Sequence, residues 1–124
     1  MTTSRFEITK SASFDAAHYL AEGPADSPYT RLHGHSFRVE ASVSGPTTEP
    51  VGWVADLGDL DRALREIAGE LDHGLLNEKP GLERPTLEHL CIYFAERLKL
   101  TFPTLSRIVV SRPTLGESCS LILG

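Results

Sequence analysis

The sequence predicts an α+β domain in which a four-stranded antiparallel sheet carries two helices on one face. Apolar and polar residues alternate in extended segments towards both ends of the chain, which is the two-residue period of a half-buried strand. In the middle of the chain, apolar residues recur at spacings of three and four, as in an amphipathic helix. The resulting order is strand, strand, helix, helix, strand, strand, which favours a sheet layer covered by a helix layer. At 124 residues, we expect 1–124 to form a single domain.

The first two strands are expected to run from Phe6 to about Ala17 and from His33 to about Ser44. Residues 20–30 between them are rich in glycine, proline, serine and aspartate, which indicates a surface loop. Because this loop connects two segments that end or begin with histidine, we expect it to border a functional site.

The two helices are predicted from stripes of apolar residues. Asp56 is expected to cap the first helix, because a carboxylate accepts hydrogen bonds from the free N–H groups of a first turn. The second helix is expected to start at Thr86, directly after Pro85. Cys91 belongs to the second stripe, which favours a small core residue over a nucleophile. The stripes are Leu57, Leu60, Leu64, Ile67 and Leu71, then Leu87, Leu90, Cys91, Phe94 and Leu98.

The last two strands are predicted at Leu105 to Val110, a β-branched run, and at Cys119 to Leu123. The final strand is short and terminal, which places it at an edge of the sheet. The sequence contains no internal repeat and no low-complexity tract.

Composition excludes several classes of function. A formal net charge of −5 argues against a general nucleic-acid binder, whose binding surface is basic. No apolar run is long enough to cross a bilayer, and the first residues lack the core of a signal peptide. We therefore expect a cytoplasmic protein that contacts neither nucleic acid nor membrane, with Cys91 and Cys119 reduced.

Three of the five histidines, His18, His33 and His35, are candidates for a metal site. Residues two apart on a strand face the same side, so His33 and His35 present their rings in parallel, and Gly34 leaves the backbone between them uncrowded. A neighbouring strand that ends at His18 would bring the third ring to the same place. Three histidines with an open fourth position form the ligand set of a catalytic zinc. The alternative is that they are surface or hydrogen-bonded histidines.

Asp72 and His73 follow the first helix, ahead of Gly74. A carboxylate beside an imidazole fixes its tautomer and supports its charged form, which would make His73 a general acid or base near neutral pH. The alternative is a solvated polar pair at a helix end.

These residues belong to five segments that occur in a fixed order. They are Phe14-Asp15-Ala16-Ala17-His18, Leu32-His33-Gly34-His35-Ser36-Phe37, Gly52-Trp53-Val54-Ala55-Asp56-Leu57, Leu71-Asp72-His73 with Leu76-Asn77, and Pro85-Thr86-Leu87-Glu88. In order and spacing the chain resembles the 6-pyruvoyl-tetrahydropterin synthase and 6-carboxy-tetrahydropterin synthase family over nearly its whole length.

The resemblance implies a tunnelling fold, in which several subunits close a barrel, usually as a homohexamer built from two trimers. It implies zinc on His18, His33 and His35, and a catalytic pair at Asp72 and His73. It also implies 7,8-dihydroneopterin triphosphate as substrate, in pterin or queuosine biosynthesis, with a possible substrate contact at Thr86.

Two positions depart from the family pattern. The family's catalytic cysteine lies four residues before the first histidine of His-Gly-His, where this chain has Tyr29. A phenol ionises near pH 10 and a thiol near 8.5, so a phenol is the poorer base at neutral pH. The family's pterin-anchoring glutamate aligns with Arg112, which has no acceptor for the N–H groups of a pterin and prefers phosphate or carboxylate. Glu117 is the nearest acid in the sequence and is the candidate to replace it.

The sequence thus predicts a zinc-dependent carbon–oxygen or carbon–carbon lyase resembling 6-carboxy-tetrahydropterin synthase. His73 and Asp72 are its expected acid–base pair, Tyr29 stands at the cysteine position, and Arg112 is a candidate substrate contact. The alternative is a divergent relative that acts on, or only binds, another small anionic ligand.

Overall fold

The computed structural model describes residues 4–124. Residues 1–3 lie outside the described residues. They belong to the predicted domain 1–124 and to the N-terminal segment that lacks a signal-peptide core. Four strands form one sheet with neighbours antiparallel, in the order β1-β2-β3-β4. The strands are β1 (Phe6–His18), β2 (His33–Gly45), β3 (Leu105–Arg112) and β4 (Glu117–Ile122). The predicted four-stranded antiparallel sheet is confirmed.

The hairpin between β3 and β4 is tighter than the sequence predicts. Strand β3 continues to Arg112, and β4 already begins at Glu117, which pairs with Arg112. Gly116 takes a left-handed φ of 66°, a conformation that glycine adopts without the steric cost that other residues meet. This turn returns the chain within four residues, so the sheet gains pairs at the end that carries the histidines. As predicted, β4 lies at a sheet edge.

The two helices are α1 (Leu57–Leu71) and α2 (Leu87–Leu98). The side chain of Asp56 accepts a hydrogen bond from Gly58 N at 2.7 Å, and Thr86 Oγ1 accepts one from His89 N at 3.1 Å. Both predicted N-caps are confirmed, and the second helix proper begins one residue after Thr86. Among the described helices, neither is long and apolar enough to span a membrane.

One hydrophobic core lies between the sheet and the helices. Phe14 and Phe37, opposite each other on β1 and β2, stack with ring centroids 5.1 Å apart, and Phe94 of α2 packs on Phe14 at 5.9 Å. Cys91 is buried in this core, where burial raises the pKa of its thiol to about 12. A thiol held in its neutral form is a poor nucleophile, in agreement with the predicted packing role.

The loop after α1 docks against the free edge of β1. Ala17 N donates to Gly74 O at 2.9 Å, and the side-chain amide of Asn77 exchanges two hydrogen bonds with the backbone of Tyr19. An edge strand offers unpaired backbone groups, and here they are used to fix the loop. The end of α1 is therefore held beside the last residues of β1.

Candidate metal centre and active cleft

The structure brings His18, His33 and His35 together at one end of the sheet. His18 of β1 pairs directly with His33 of β2, and His35 lies two residues further along on the same face. One ring nitrogen from each lies within 4.8 Å of the others. The three rings lie beyond Phe37 on the face of the sheet that carries the core, and the ring of Phe37 lies 5.8 Å from that of His18. The juxtaposition expected from the sequence is thus present.

Backbone carbonyls fix the tautomers of two of these rings. His18 Nδ1 lies 3.0 Å from Pro85 O, and His33 Nδ1 lies 2.6 Å from Arg31 O. A carbonyl oxygen only accepts, so each Nδ1 carries the hydrogen and each neutral ring has a bare Nε2. The Nε2 atoms of His18 and His33 lie 3.1 Å apart. Two lone pairs at this distance repel each other, and a cation between them removes the repulsion.

Burial favours the neutral, metal-binding form of His18 and His35. His18 is 1% exposed, and burial lowers its pKa to about 4, with smaller lowering from His33 and His35 and an opposing effect of the Pro85 hydrogen bond. Burial also lowers the pKa of His35, followed by the positive charge of Arg112. Neutral imidazoles are the ligands that zinc requires, so this donor set fits the metal that the sequence predicts.

Gly34 does not have the steric role that the sequence suggests. A Cβ atom placed at this position would meet Ala16 O at 3.5 Å, an ordinary van der Waals distance. The strand pairing, rather than a lack of crowding at Gly34, sets the arrangement of the two rings.

The Asp72–His73 pair is held by the backbone of Asp15. Asp72 Oδ1 accepts from Asp15 N at 2.9 Å, and His73 N donates to Asp15 O at 2.6 Å. Asp72 Oδ2 lies 2.8 Å from His73 Nδ1, so the imidazole donates to the carboxylate, and its Nε2 has no hydrogen-bond partner within residues 4–124. His73 has a left-handed φ of 57°, an uncommon conformation for a residue other than glycine, which these bonds maintain.

Asp72 and His73 shift each other's pKa in the directions that favour a carboxylate beside a protonated imidazole. The hydrogen bond to Asp72, and then the charge of Asp72, raises the pKa of His73. The hydrogen bond from Asp15 N, followed by that from His73, lowers the pKa of Asp72. The imidazole is 81% exposed, so its free nitrogen is accessible to a ligand.

A cleft of about 1060 Å³ opens over His33, His35 and His73, while the buried His18 is not among its lining residues. Tyr29 lies on its wall, in a short 3-10 turn at Pro28–Thr30, with 58% of its surface exposed. The predicted position of the loop at the border of the site is therefore confirmed. Thr86 is not among the lining residues of the described chain, so its contact with a substrate stays a prediction. Further lining residues are Asp15, Arg31, Leu32, Ser36, Arg112, Thr114, Leu115 and Glu117.

Arg112 and Glu117 lie next to each other at the cleft wall. Arg112 Nε is 2.7 Å from Glu117 Oε1, which makes an ion pair. The N–H group is not aligned with that oxygen, and Arg112 Nε has no hydrogen-bond partner among residues 4–124. Glu117, the acid nearest to Arg112 along the sequence, thus lies beside Arg112 in the cleft.

Sequence reasoning missed the residues that act through their backbone. The carbonyls of Pro85 and Arg31 orient two histidines, and both backbone groups of Asp15 hold the acid–base pair. The available signal was the position of these residues inside or beside the five segments that carry the family resemblance, since a backbone contact leaves no mark on side-chain type.

The fold and site define an α+β protein with a candidate three-histidine metal site beside an aspartate–histidine pair. The model of the family described as 6-pyruvoyl tetrahydropterin synthase matches residues 7–121. The chain belongs to this family of pterin synthases.

Individual relatives agree with this assignment. A protein of Archaeoglobus fulgidus, provisionally named a 6-carboxy-5,6,7,8-tetrahydropterin synthase, is 42% identical over 82 residues, which are 66% of each chain. The dihydroneopterin monophosphate aldolase of Pyrococcus furiosus is 34% identical over 92 residues, 74% of each chain. The structure of Caenorhabditis elegans 6-pyruvoyl tetrahydropterin synthase superposes with a TM-score of 0.82 at 20% identity, covering 100% of this chain and 99% of that one. The last comparison confirms the predicted fold of the single subunit, while the barrel-forming oligomer stays a prediction.

Proposed function

We propose that this protein is a zinc-dependent lyase that acts on the side chain of 7,8-dihydroneopterin triphosphate or a related dihydropterin phosphate. The observation that carries the proposal is that the bare Nε2 atoms of His18 and His33 lie 3.1 Å apart, and that His33 lines a cleft together with the carboxylate-bound His73. The names of the relatives, a 6-carboxy-tetrahydropterin synthase and a dihydroneopterin monophosphate aldolase, support this substrate class.

The proposed metal ligands are His18, His33 and His35. When bound, zinc would supply positive charge that lowers the pKa of a substrate hydroxyl. Tyr29 is the proposed base for the hydroxyl proton, and His73, kept protonated by Asp72, is the proposed acid that delivers a proton to carbon.

Two lyase reactions suit these residues. In the synthase reaction, a base must remove a proton from carbon before triphosphate is eliminated. In an aldol cleavage, only the hydroxyl proton on the second side-chain carbon is removed, and the bond between the first and second carbons breaks to release an aldehyde. The electron pair passes into the C=N bond of the ring system, and a proton returns to the first carbon, so no oxidant or reductant is needed. The phenol at position 29 and the similarity to the Pyrococcus furiosus aldolase favour carbon–carbon cleavage.

The second candidate is a non-catalytic relative that binds a small anion at the same cleft. It is favoured by the tyrosine at the cysteine position and by Arg112 at the position of the pterin anchor. The proposed homohexamer, built from two trimers in a barrel, and the cytoplasmic location apply to both candidates.

The deciding experiment is incubation of zinc-loaded protein with 7,8-dihydroneopterin triphosphate and, separately, the monophosphate, with products separated by chromatography. Cleavage should fall by about a hundredfold or more in His73→Ala, in line with the usual effect of losing a general acid. His89→Ala, which changes a histidine bonded to Arg84 O outside the cleft, should retain activity. No product from folded, zinc-bound wild-type protein would overturn the enzymatic proposal in favour of the binder.

A further inference from the structure

Arg112 lies on the same face of the sheet as the metal-site histidines. Val110 pairs with Val39, and Ser111 pairs with Arg38. Continuing this register places Arg112 beside Phe37, two residues from His35 on the same face of β2. Arg112 also lines the cleft together with His33 and His35, and its charge lowers the pKa of both His18 and His35.

The guanidinium has hydrogen-bonding capacity that the described chain does not use. The Arg112 side chain is 16% exposed, and its Nε, although 2.7 Å from Glu117 Oε1, donates no hydrogen bond to residues 4–124. Buried donors are nearly always satisfied, so a persistent unpaired one requires an explanation. An acceptor brought by a ligand would satisfy it.

The charges around the cleft define the kind of acceptor. Arg31 and Arg112 bring two positive charges, and His73 adds a third when protonated. Among the lining carboxylates, Glu117 pairs with Arg112, and Asp15 accepts a hydrogen bond from Ser36 Oγ at 2.5 Å. These two carboxylates balance the two arginines, so a metal ion held by neutral histidines would give the cleft a net positive charge, which favours an anion. The donor edge of a pterin ring is excluded as the partner of Arg112, because a guanidinium has no acceptor.

We propose that Arg112 is the phosphate-binding residue of this cleft, and that it holds the phosphate ester of the molecule whose hydroxyl groups reach the metal site. The identity of that molecule rests on the proposed function. A planar guanidinium donates two parallel hydrogen bonds to a phosphate, a geometry that lysine cannot reproduce. Glu117, which is half exposed, retains the guanidinium at the wall in the absence of ligand. Arg112 stands where the family has the glutamate that anchors the pterin ring, so this position would bind the phosphorylated end of the substrate instead of the ring.

Glycerol 3-phosphate and glycerol test this proposal without a pterin, because both carry neighbouring hydroxyl groups and they differ by the phosphate. Zinc-loaded wild-type protein should bind glycerol 3-phosphate about tenfold or more tightly than glycerol in titration calorimetry, given the usual strength of charge-assisted hydrogen bonds. Arg112→Gln should lose most of this preference, and Arg112→Lys should retain only part of it. Arg107→Gln is the matched control, because Arg107 lies on the same strand and pairs with Glu7 outside the cleft.

Zinc content and melting temperature, measured for each variant, show whether the fold and the metal site survive. An undiminished preference for the phosphate in folded Arg112→Gln would overturn the proposal. The outcome is separable from that of the proposed function. Loss of the preference in a protein that cleaves no pterin would support the phosphate site and refute the lyase. Cleavage of a dihydroneopterin phosphate with an unchanged KM in Arg112→Gln would do the reverse.

Discussion

His18 and His33 face each other across neighbouring strands with their Nε2 atoms 3.1 Å apart, while each Nδ1 is bonded to a backbone carbonyl. The carbonyls orient the rings and fix the proton on the far nitrogen, so the near nitrogens are available as ligands. Because these partners belong to the backbone, they are unaffected by most side-chain substitutions. The two rings are therefore preorganised for a cation.

Replacing His33 should remove metal binding without unfolding the protein. His33→Ala deletes one of three proposed ligands at a partly exposed position, so we expect zinc per chain to fall to about a tenth or less of the wild-type value, since a catalytic zinc needs three protein ligands. Elemental analysis after dialysis against a weak chelator measures this. His89→Ala is the control that should keep its zinc.

The melting temperature gives a second readout of the same site. Chelation should lower the melting temperature of the wild-type protein, because a ligand at about a hundredfold excess over its Kd stabilises the fold by about 2.7 kcal/mol. His33→Ala should show no such response. Full zinc occupancy in His33→Ala would contradict the assignment of this ligand.

Removing the negative charge of Asp72 should move the alkaline limit of activity to lower pH. The hydrogen bond and charge of Asp72 raise the pKa of His73, and an acid works only while protonated, so activity should be lost as pH rises through that raised pKa. Asp72→Asn removes the charge and should return the pKa towards its ordinary value. The pH profile of kcat and an NMR titration of the His73 ring measure the shift. An alkaline limit that does not move would exclude His73 as the acid.

The hydroxyl of Tyr29 should matter for turnover but not for metal loading. Tyr29→Phe keeps the ring at the cleft wall and removes the proposed base, so kcat should fall by about a hundredfold, a typical contribution of general base catalysis, with zinc content unchanged. Tyr29→Cys should keep the activity that Tyr29→Phe loses, because the thiol replaces the phenol as base. Synthase products in addition to cleavage products would indicate that the thiol takes a proton from carbon. Equal kcat values for wild type and Tyr29→Phe would show that another group is the base.

Much of this protein could be predicted from local sequence patterns. The stripe from Leu57 to Leu71 and the alternation around Phe14 and Phe37 determine their elements, because apolar spacing records which side of a helix or strand is buried. The position of His33 and His35 on the same face of β2 follows from the same two-residue period. The β3–β4 hairpin was misjudged by two residues on each strand, because its turn depends on the backbone conformation of Gly116.

The sequence by itself determined the two helices, the four strands except for the ends that form the β3–β4 hairpin, and which histidines and which aspartate–histidine pair are candidates for the site, because each depends on side-chain type and spacing along a short stretch of chain. Only the tertiary structure decided how those groups are arranged. It brought the Pro85 carbonyl to His18 and the backbone of Asp15 to His73, and it placed Arg112, whose Nε donates no hydrogen bond within residues 4–124, near the histidines. These contacts join residues far apart in the chain, often through backbone atoms common to all amino acids, so no local pattern records them.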